Sequence, residues 1–409
     1  ETTGPGRVTY YYGTAGRNAS PYDQFQPPAT LNLNAWNHIA IVRDLSSANP
    51  QLRWYINGTE YTRAANPAFI PGAADLAGQT AYFAEGYAGN YRGNIDEAQI
   101  YNVALSSQEV NWLFHNTGGV PTWDGSVGTW GTASSWSTGA VPDLNGSDCA
   151  RVESGTVTYT PASDFIINNG NSLNISGTGT WNKSAANWIR IGESSEGTVN
   201  QTGGTFDASL VDNIRLGSNA SGVGNYNLNG GTLIVKSIDQ GAGPANFRFS
   251  GGTLQAAAGF TTALPMTVNG GGTTVDTNGY DVTLSGDLAA GTGSGSLTKT
   301  GAGTLRLDGL LGYTGGTTVD EGTLVLSKSG LGWTTYGQFG SSHTLTVNAG
   351  ATLDVQEKAI TGMGQAHQIN VNGGTLKFST DNYQSKIDLT GGRIIASGFG
   401  YPGLNIDPL

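Results

Sequence analysis

A short phrase recurs along this chain and constrains it more than any other feature. It is a β-favouring run, Asn or a small residue, Gly-Gly, then Thr and another β-run. It reads Val199-Asn200-Gln201-Thr202-Gly203-Gly204-Thr205-Phe206 and again Tyr226-Asn227-Leu228-Asn229-Gly230-Gly231-Thr232-Leu233. Further copies span Phe247–Leu254 and Ile369–Leu376, with looser ones at Val268–Gly271 and Ile387–Gly392. From Gly203 to Gly271 the copies lie about 20 to 27 residues apart, the length of one coil of a solenoid. Gly-Gly at a corner permits positive φ and close approach of adjacent coils. Asn recurs just before the corner (Asn229, Asn269, Asn348, Asn372). An amide both donates and accepts, so these side chains are expected to stack as a ladder between coils. At about 20 residues per coil, the region from 160 to 409 predicts roughly eleven to thirteen coils, a rod of about 50–60 Å. Such a stack is a scaffold with length and surface, not a catalytic pocket.

Composition narrows the partners. The chain has 409 residues, of which 12% are charged, with a net charge of −11 and 19 Lys and Arg. That length predicts two or more structural units. So few cations argue against a phosphate backbone as partner and against an anionic membrane surface. Cys149 is the only cysteine, so no disulfide forms within the chain, and it reads as a small buried hydrophobe. No run of about 18 apolar residues offers a membrane-spanning helix. With neither an initiating Met nor a signal peptide, the sequence reads as a mature or partial piece of a longer exported protein. Eukaryotic secreted chains of this size usually carry several cysteines, so the expected source is bacterial.

Residues 1–118 differ in texture from the rest. Trp36-Asn37-His38-Ile39-Ala40-Ile41-Val42-Arg43 alternates as a strand, with Trp36, His38, Ala40 and Val42 on one face and Ile39 and Ile41 on the other. Leu52–Tyr61 carries Asn57-Gly58 between two strand-like runs, a strong hairpin signal. The one helix predicted in the chain follows Leu105. Ser106-Ser107-Gln108-Glu109 matches a capping box, Val110, Leu113 and Phe114 form its apolar stripe, and Gly118-Gly119 ends it.

The order W-x-H-I-A-I-V-R, L-R-W-Y-I-N-G and G-N-I-D-E-A-Q-I-Y-N-V-A-L-S-S-Q-E-V resembles the laminin-G-like, concanavalin-A-type jelly roll. The resemblance covers the later part of such a domain, because few residues precede Trp36. The expected unit is therefore a β-sandwich over 1–118 that is incomplete at its N-terminal side. It is followed by a Trp-rich junction over 119–160 and a β-solenoid over 161–409. In the junction, Trp123, Trp130 and Trp136 fall within 14 residues. Their expected role is to cap the exposed first coil, with stacking on carbohydrate as the alternative.

Gly295-Ser296-Leu297-Thr298-Lys299-Thr300-Gly301-Ala302-Gly303-Thr304-Leu305-Arg306-Leu307 is followed by Tyr313–Val319 and Glu321–Leu326. This segment of about 32 residues resembles the autotransporter-associated β-strand repeat, L-x-K-x-G-x-G-T-L-x-L then Y-x-G-x-T-x-V-x-x-G-T-L. The resemblance implies a parallel β-helix exposed outside a bacterial cell. The fold class expected is all-β, a jelly-roll sandwich followed by a parallel β-helix.

Catalytic constellations are not found. No two of His38, His115, His343 and His367 sit at metal-ligand spacing, and there is no H-E-x-x-H. His38 reads as a packed core residue. Asp96 and Glu97 are adjacent, so on a strand they point to opposite faces and cannot form a glycosidase pair. The acids and bases of the repeat region (Asp207, Asp212, Arg215, Lys236, Asp239) look scattered rather than clustered. The laminin-G-like resemblance implies calcium, held by carboxylate and carbonyl oxygens, with Asp96 and Asp75 as the candidate ligands. The competing reading has Asp96 accept backbone amides and fix the strand exit. Tyr87 and Tyr91, beside the Gly86–Gly93 loop, are the candidate residues for stacking on sugar rings. The function expected is a bacterial cell-surface adhesin or structural protein, whose lectin-like sandwich binds glycan or a surface protein. A self-assembling fibre or sheath subunit is the alternative, and a polysaccharide-degrading enzyme stands behind both.

Overall fold

The computed structural model describes residues 10–13, 22–32, 34–44, 51–64, 95, 98–100, 104–115, 119–328, 338–339, 343–356, 367–378 and 385–396. The chain divides into two units, Glu1–Gly119 and Val120–Leu409.

In the first unit β1 (Tyr10–Gly13) pairs antiparallel with β2 (Tyr22–Phe25). A second sheet runs β3 (Ile39–Asp44), β4 (Gln51–Ile56) and β5 (Thr59–Ala64), antiparallel throughout. Asn57 and Gly58 take φ of 50° and 78°. Positive φ at both central residues is what a type I′ hairpin turn needs. Helix α1 spans Ser107–His115. Its capping box forms as expected: the Glu109 amide donates to Ser106 Oγ at 3.2 Å, and the Ser106 amide donates to Glu109 Oε2 at 2.8 Å. Val110 is fully buried and packs with Leu105, Val42 and Tyr55. On β3 the alternation holds for Val42 and Ala40, which face this core, while Ile39 and Ile41 point outward. Trp36 departs from the expected face. It precedes the strand and is 68% exposed.

The second unit is a parallel β-solenoid whose coils present three faces. Along the second face the ladder runs unbroken from Val127–Thr129 through Thr156–Tyr159, Thr180–Lys183, Glu196–Ala208, Val223–Val235, Thr253–Ala256, Thr273–Asp276, Leu297–Thr300, Thr317–Val319, Thr344–Val347 and His367–Asn372 to Ser385–Thr390. That is twelve rungs, a ladder of about 50 Å. The first face runs from a single-residue bridge at Thr122 through Ala150–Val152 to single-residue bridges at Leu311 and Phe339. The third face comes in two blocks, Phe165–Ile167 to Ile238–Gln240 and Phe260–Thr262 to Arg393–Ala396. Among the described residues about nine turns carry all three faces. This is fewer than eleven to thirteen because the turns are longer than assumed. From Asn171 to the paired Gly197 is 26 residues, and from Leu311 to Phe339 is 28. The first rungs already fall within 119–160, so the junction is itself the start of the solenoid.

The repeated phrase serves two different corners. In the early copies Gly-Gly joins the first face to the second, as between Gln201 and Thr205. In the late copies it joins the second face to the third, as between Asn372 and Thr375. The backbone differs accordingly: Gly204, the second glycine of its pair, has φ 61°, whereas Gly373, the first of its pair, has φ 81°. A Cβ on Gly204 would also run into the carbonyl oxygen of Gly179 on the preceding coil.

One continuous core fills the solenoid, and in its early half the filling is aromatic. Rings follow one another from Trp130 to Phe165 (5.4 Å), Trp181 (4.6 Å), Phe206 (4.5 Å), Tyr226 (5.9 Å) and Phe247 (5.4 Å). In the later half, Leu305, Leu324, Leu353 and Leu376 stack in register, all fully buried.

Candidate functional site

The four residues singled out for binding, Asp75, Asp96, Tyr87 and Tyr91, lie outside the described residues. Among the described residues no group of three or more His, Cys, Asp or Glu side chains is placed to hold a metal ion. What the first unit does show is a polar brace. Tyr55 donates to Glu60 Oε2 at 2.8 Å, and Arg53 Nη2 reaches the Leu105 carbonyl at 2.8 Å. Burial pushes the Tyr55 phenol above its ordinary range against the pull of Arg53. The brace ties β4 to the start of α1. His38 is half-buried against the Phe114 ring at 5.6 Å, in keeping with a packing role.

On the solenoid, charges that look scattered in sequence are aligned in space. Arg190, Arg215 and Asp239 occupy one register position on three successive rungs of the third face. Arg190 Nε meets Asp164 at 2.7 Å, and Arg215 makes a two-pronged contact with Asp239 at 2.7 and 2.8 Å. The hydrogen bond to Asp239 raises the Arg215 pKa. The Trp188 ring lies near both guanidinium groups, 5.0 Å from Arg190 and 4.3 Å from Arg215. Asp207 accepts from the Ser209 amide, and Lys236 donates to the Leu210 carbonyl. These groups brace coils and turns.

An amide ladder exists, but not at the expected Asn residues. It runs mid-strand on the first face: Asn200 donates to Asn174 at 2.8 Å, Asn227 donates to Asn200 at 2.7 Å, and Arg248 caps Asn227 at 3.3 Å. Of the corner residues, Asn269 donates to Ser250 Oγ and Asn348 donates to Asp320. Asn229 and Asn372 are exposed. The corner backbone turns their side chains outward, whereas mid-strand side chains one coil apart stay in register.

A second outward row is longer. Thr156, Thr180, Thr205, Thr232, Thr253, Thr274, Thr298, Thr318 and Thr346 are paired rung to rung on the second face, each flanked by an inward, buried residue. β-branched side chains suit such a pleated outer surface.

The three junction tryptophans are buried. Trp130 and Trp123 each pack edge-on against Trp136, at 4.7 and 5.2 Å. Their ring N–H groups donate to the Ser126, Pro142 and Trp130 carbonyls. They are packed in the core of the first rungs, and their faces are not offered to a sugar.

Two lysines point inward. Lys183 donates to the Pro161 and Ala185 carbonyls, both at 3.2 Å. Lys299, the Lys of the L-x-K-x-G pattern, is fully buried among four oxygens: Thr277 Oγ1 (2.9 Å) and the carbonyls of Thr300 (2.8 Å), Gly301 (2.6 Å) and Glu321 (3.1 Å). Burial pushes its pKa down to about 8, against the pull of Asp276 and Glu321. At neutral pH the ammonium ties three consecutive coils together. The alternation Leu297-Thr298-Lys299 already places it on the inward face, a signal available in the sequence.

Comparisons with known proteins agree with this architecture. Residues 3–111 match the family model described as the concanavalin A-like lectin/glucanases superfamily, a match that begins well before Trp36. Residues 297–326 match the passenger-associated-transport-repeat. Over 176 residues, 40% of this chain, the sequence is 30% identical to the Adhesin BmaC autotransporter of Brucella suis biovar 1 (strain 1330). The matched stretch spans 5% of that protein's length. No solved structure matches. The chain therefore joins, in one polypeptide, a segment similar to the concanavalin A-like lectin/glucanases superfamily to a β-solenoid that includes a segment similar to the passenger-associated-transport-repeat.

Proposed function

We propose that this chain is an adhesin-type segment of a bacterial cell-surface protein, in which the lectin-like domain recognises glycan or another surface protein. In this reading the solenoid is scaffold and does no chemistry. The observation that carries it is the union of a concanavalin A-like domain and a passenger repeat in one chain, together with likeness to an adhesin autotransporter. The solenoid supports it: its ionic groups at Arg190, Arg215 and Lys299 are committed to neighbouring coils. No helix among the described residues is long and apolar enough to cross a membrane.

The test is retention of residues 1–409 on a panel of immobilised polysaccharides, with calcium and with chelator. Saturable retention that free polysaccharide competes away is expected. Loss of retention in chelator and in Asp96→Ala would place calcium at Asp96 and Asp75, and loss in Tyr87→Ala or Tyr91→Ala would place the sugar on those rings. Absence of retention on every glycan removes the lectin version. A self-assembling fibre or sheath subunit is the alternative reading. Sedimentation over a concentration series separates it, since a filament subunit polymerises and an adhesin segment does not.

A further inference from the structure

The later coils contain two buried imidazoles that neither the scaffold nor the recognition reading requires. His343 and His367 begin successive rungs of the second face, and both are almost fully buried. The His343 amide donates to His367 Nδ1 at 3.2 Å, a side-chain bond set beside the backbone bond from the Gln368 amide to the His343 carbonyl. On its other side His343 Nε2 meets Thr317 Oγ1 at 2.9 Å, which in turn meets the Tyr313 hydroxyl at 2.7 Å. The Phe339 ring stacks on His343 at 4.1 Å. His343 Nδ1 and His367 Nε2 are buried without a hydrogen-bond partner among the described residues.

We propose that this pair is an acid-sensitive latch that holds the last coils of the solenoid onto those before them. The argument is geometric. Because His367 Nδ1 accepts the His343 amide proton, neutral His367 carries its own proton on Nε2. A second proton would have to enter at Nδ1, where it would confront the His343 N–H donor to donor. Protonated His343 would present a new N–H at Nδ1, or lose its freedom of tautomer at Thr317, with no acceptor within reach among the described residues. A buried unpartnered charge of this kind is strongly disfavoured. The groups around the pair do not relieve it. Tyr313 is held far above its ordinary pKa by burial. Asp320, which follows Thr317–Val319, sits on the outer side and holds the Asn348 amide at 2.6 Å. On Ser385–Thr390, Lys386 and Asp388 pair with each other at 3.3 Å at outward positions. Burial accordingly lowers both imidazole pKa values, that of His343 to about 4 with the neighbouring His367 adding to the effect. The folded value lies below the unfolded one near 6.5, so the unfolded chain binds the extra proton first. The stabilisation is complete above pH 6.5 and is lost as the pH falls through about 4.

Hydrogen exchange of residues 1–409 at pH 7 and pH 4.5, with times scaled for intrinsic exchange, tests the latch. Peptides covering 343–356 and 367–378 should lose protection at least tenfold at pH 4.5 relative to peptides covering 197–256. His367→Asn keeps an acceptor for the His343 amide but does not titrate, and it should shrink that loss to the part that His343 alone supplies. Unchanged protection in the native protein, or an acid loss undiminished in His367→Asn, overturns the proposal. Should the variant lose protection already at pH 7, selective imidazole NMR on the native chain decides. Two imidazoles that stay neutral down to about pH 5 and then titrate together with loss of protection support the latch. Four that titrate freely near 6.5 refute it.

Discussion

The early and later halves of the solenoid share one backbone ladder and fill it differently. From Phe165 to Phe247 the interior is a run of rings in contact, with buried polar side chains such as Lys183 and Gln201 among them, and Tyr226 donates to Gln201 at 2.7 Å. From Leu297 to Phe378 the interior is mainly aliphatic, punctuated by the rings of Tyr313, Phe339 and Phe378 and by Lys299, Thr317, Gln338, His343 and His367. The sharp Gly-Gly corner also moves from one side of the coil to another. The comparison teaches that rung-to-rung pairing defines this fold. What fills each coil, and which corner glycine sharpens, are interchangeable solutions to the same requirement.

That contrast can be broken by substitution. Trp181→Ala should have the largest effect. It removes the ring between Phe165 and Phe206 and is expected to cost about 3–5 kcal/mol, read by urea denaturation, with exchange protection lost first in the early coils. Gly204→Ala follows at about 3 kcal/mol, since it combines left-handed strain with a backbone clash against Gly179. Gly373→Ala, whose new Cβ would lie 3.2 Å from the Ala349 methyl, carries the strain alone at about 1–2 kcal/mol. Equal losses at the two glycines would show that the corners are equivalent after all.

Lys299→Met removes the donor that Thr277 Oγ1 and the Thr300, Gly301 and Glu321 carbonyls share, of which Thr300 still accepts from Thr277, a loss of about 1–3 kcal/mol confined to the later half. Its pH signature has a definite sign. The folded pKa of about 8 lies below 10.5, so the unfolded chain binds more protons between those values. Stability of the later half therefore rises with pH across that window, and the Met variant should show no such rise. Asn200→Ala should have the smallest effect, about 1 kcal/mol, by removing the middle member of a half-buried amide ladder. A thermal midpoint equal to that of the native chain would make the ladder ornamental.

Much of this architecture was legible in the residues. The capping box at Ser106, the Asn57-Gly58 turn and the coil-length recurrence of Gly-Gly each name a local geometry that the backbone then adopts. Less legible was the position of each phrase within its coil, because Asn-Gly-Gly-Thr specifies a turn and not the face that follows it. The amide ladder was misplaced for a related reason. Corner asparagines are conspicuous beside glycine, whereas Asn174, Asn200 and Asn227 reveal themselves only once the register of successive rungs is known. His343 and His367 are 24 residues apart, a spacing without meaning for a metal on a helix or hairpin but equal to one coil here. For the candidate binding residues Asp75, Asp96, Tyr87 and Tyr91 the sequence remains the source of the proposal.

The nine threonines in register along the second face show how such a molecule tolerates change in its own length. Each rung meets its neighbours through the same outward position, so removing or duplicating one whole coil restores the row on both sides of the splice. Fractional insertions, by contrast, must be absorbed at a corner. A lineage carrying this solenoid would gain or lose reach in whole-coil steps of about 4.8 Å, through unequal recombination between the very repeats that give the chain its rhythm.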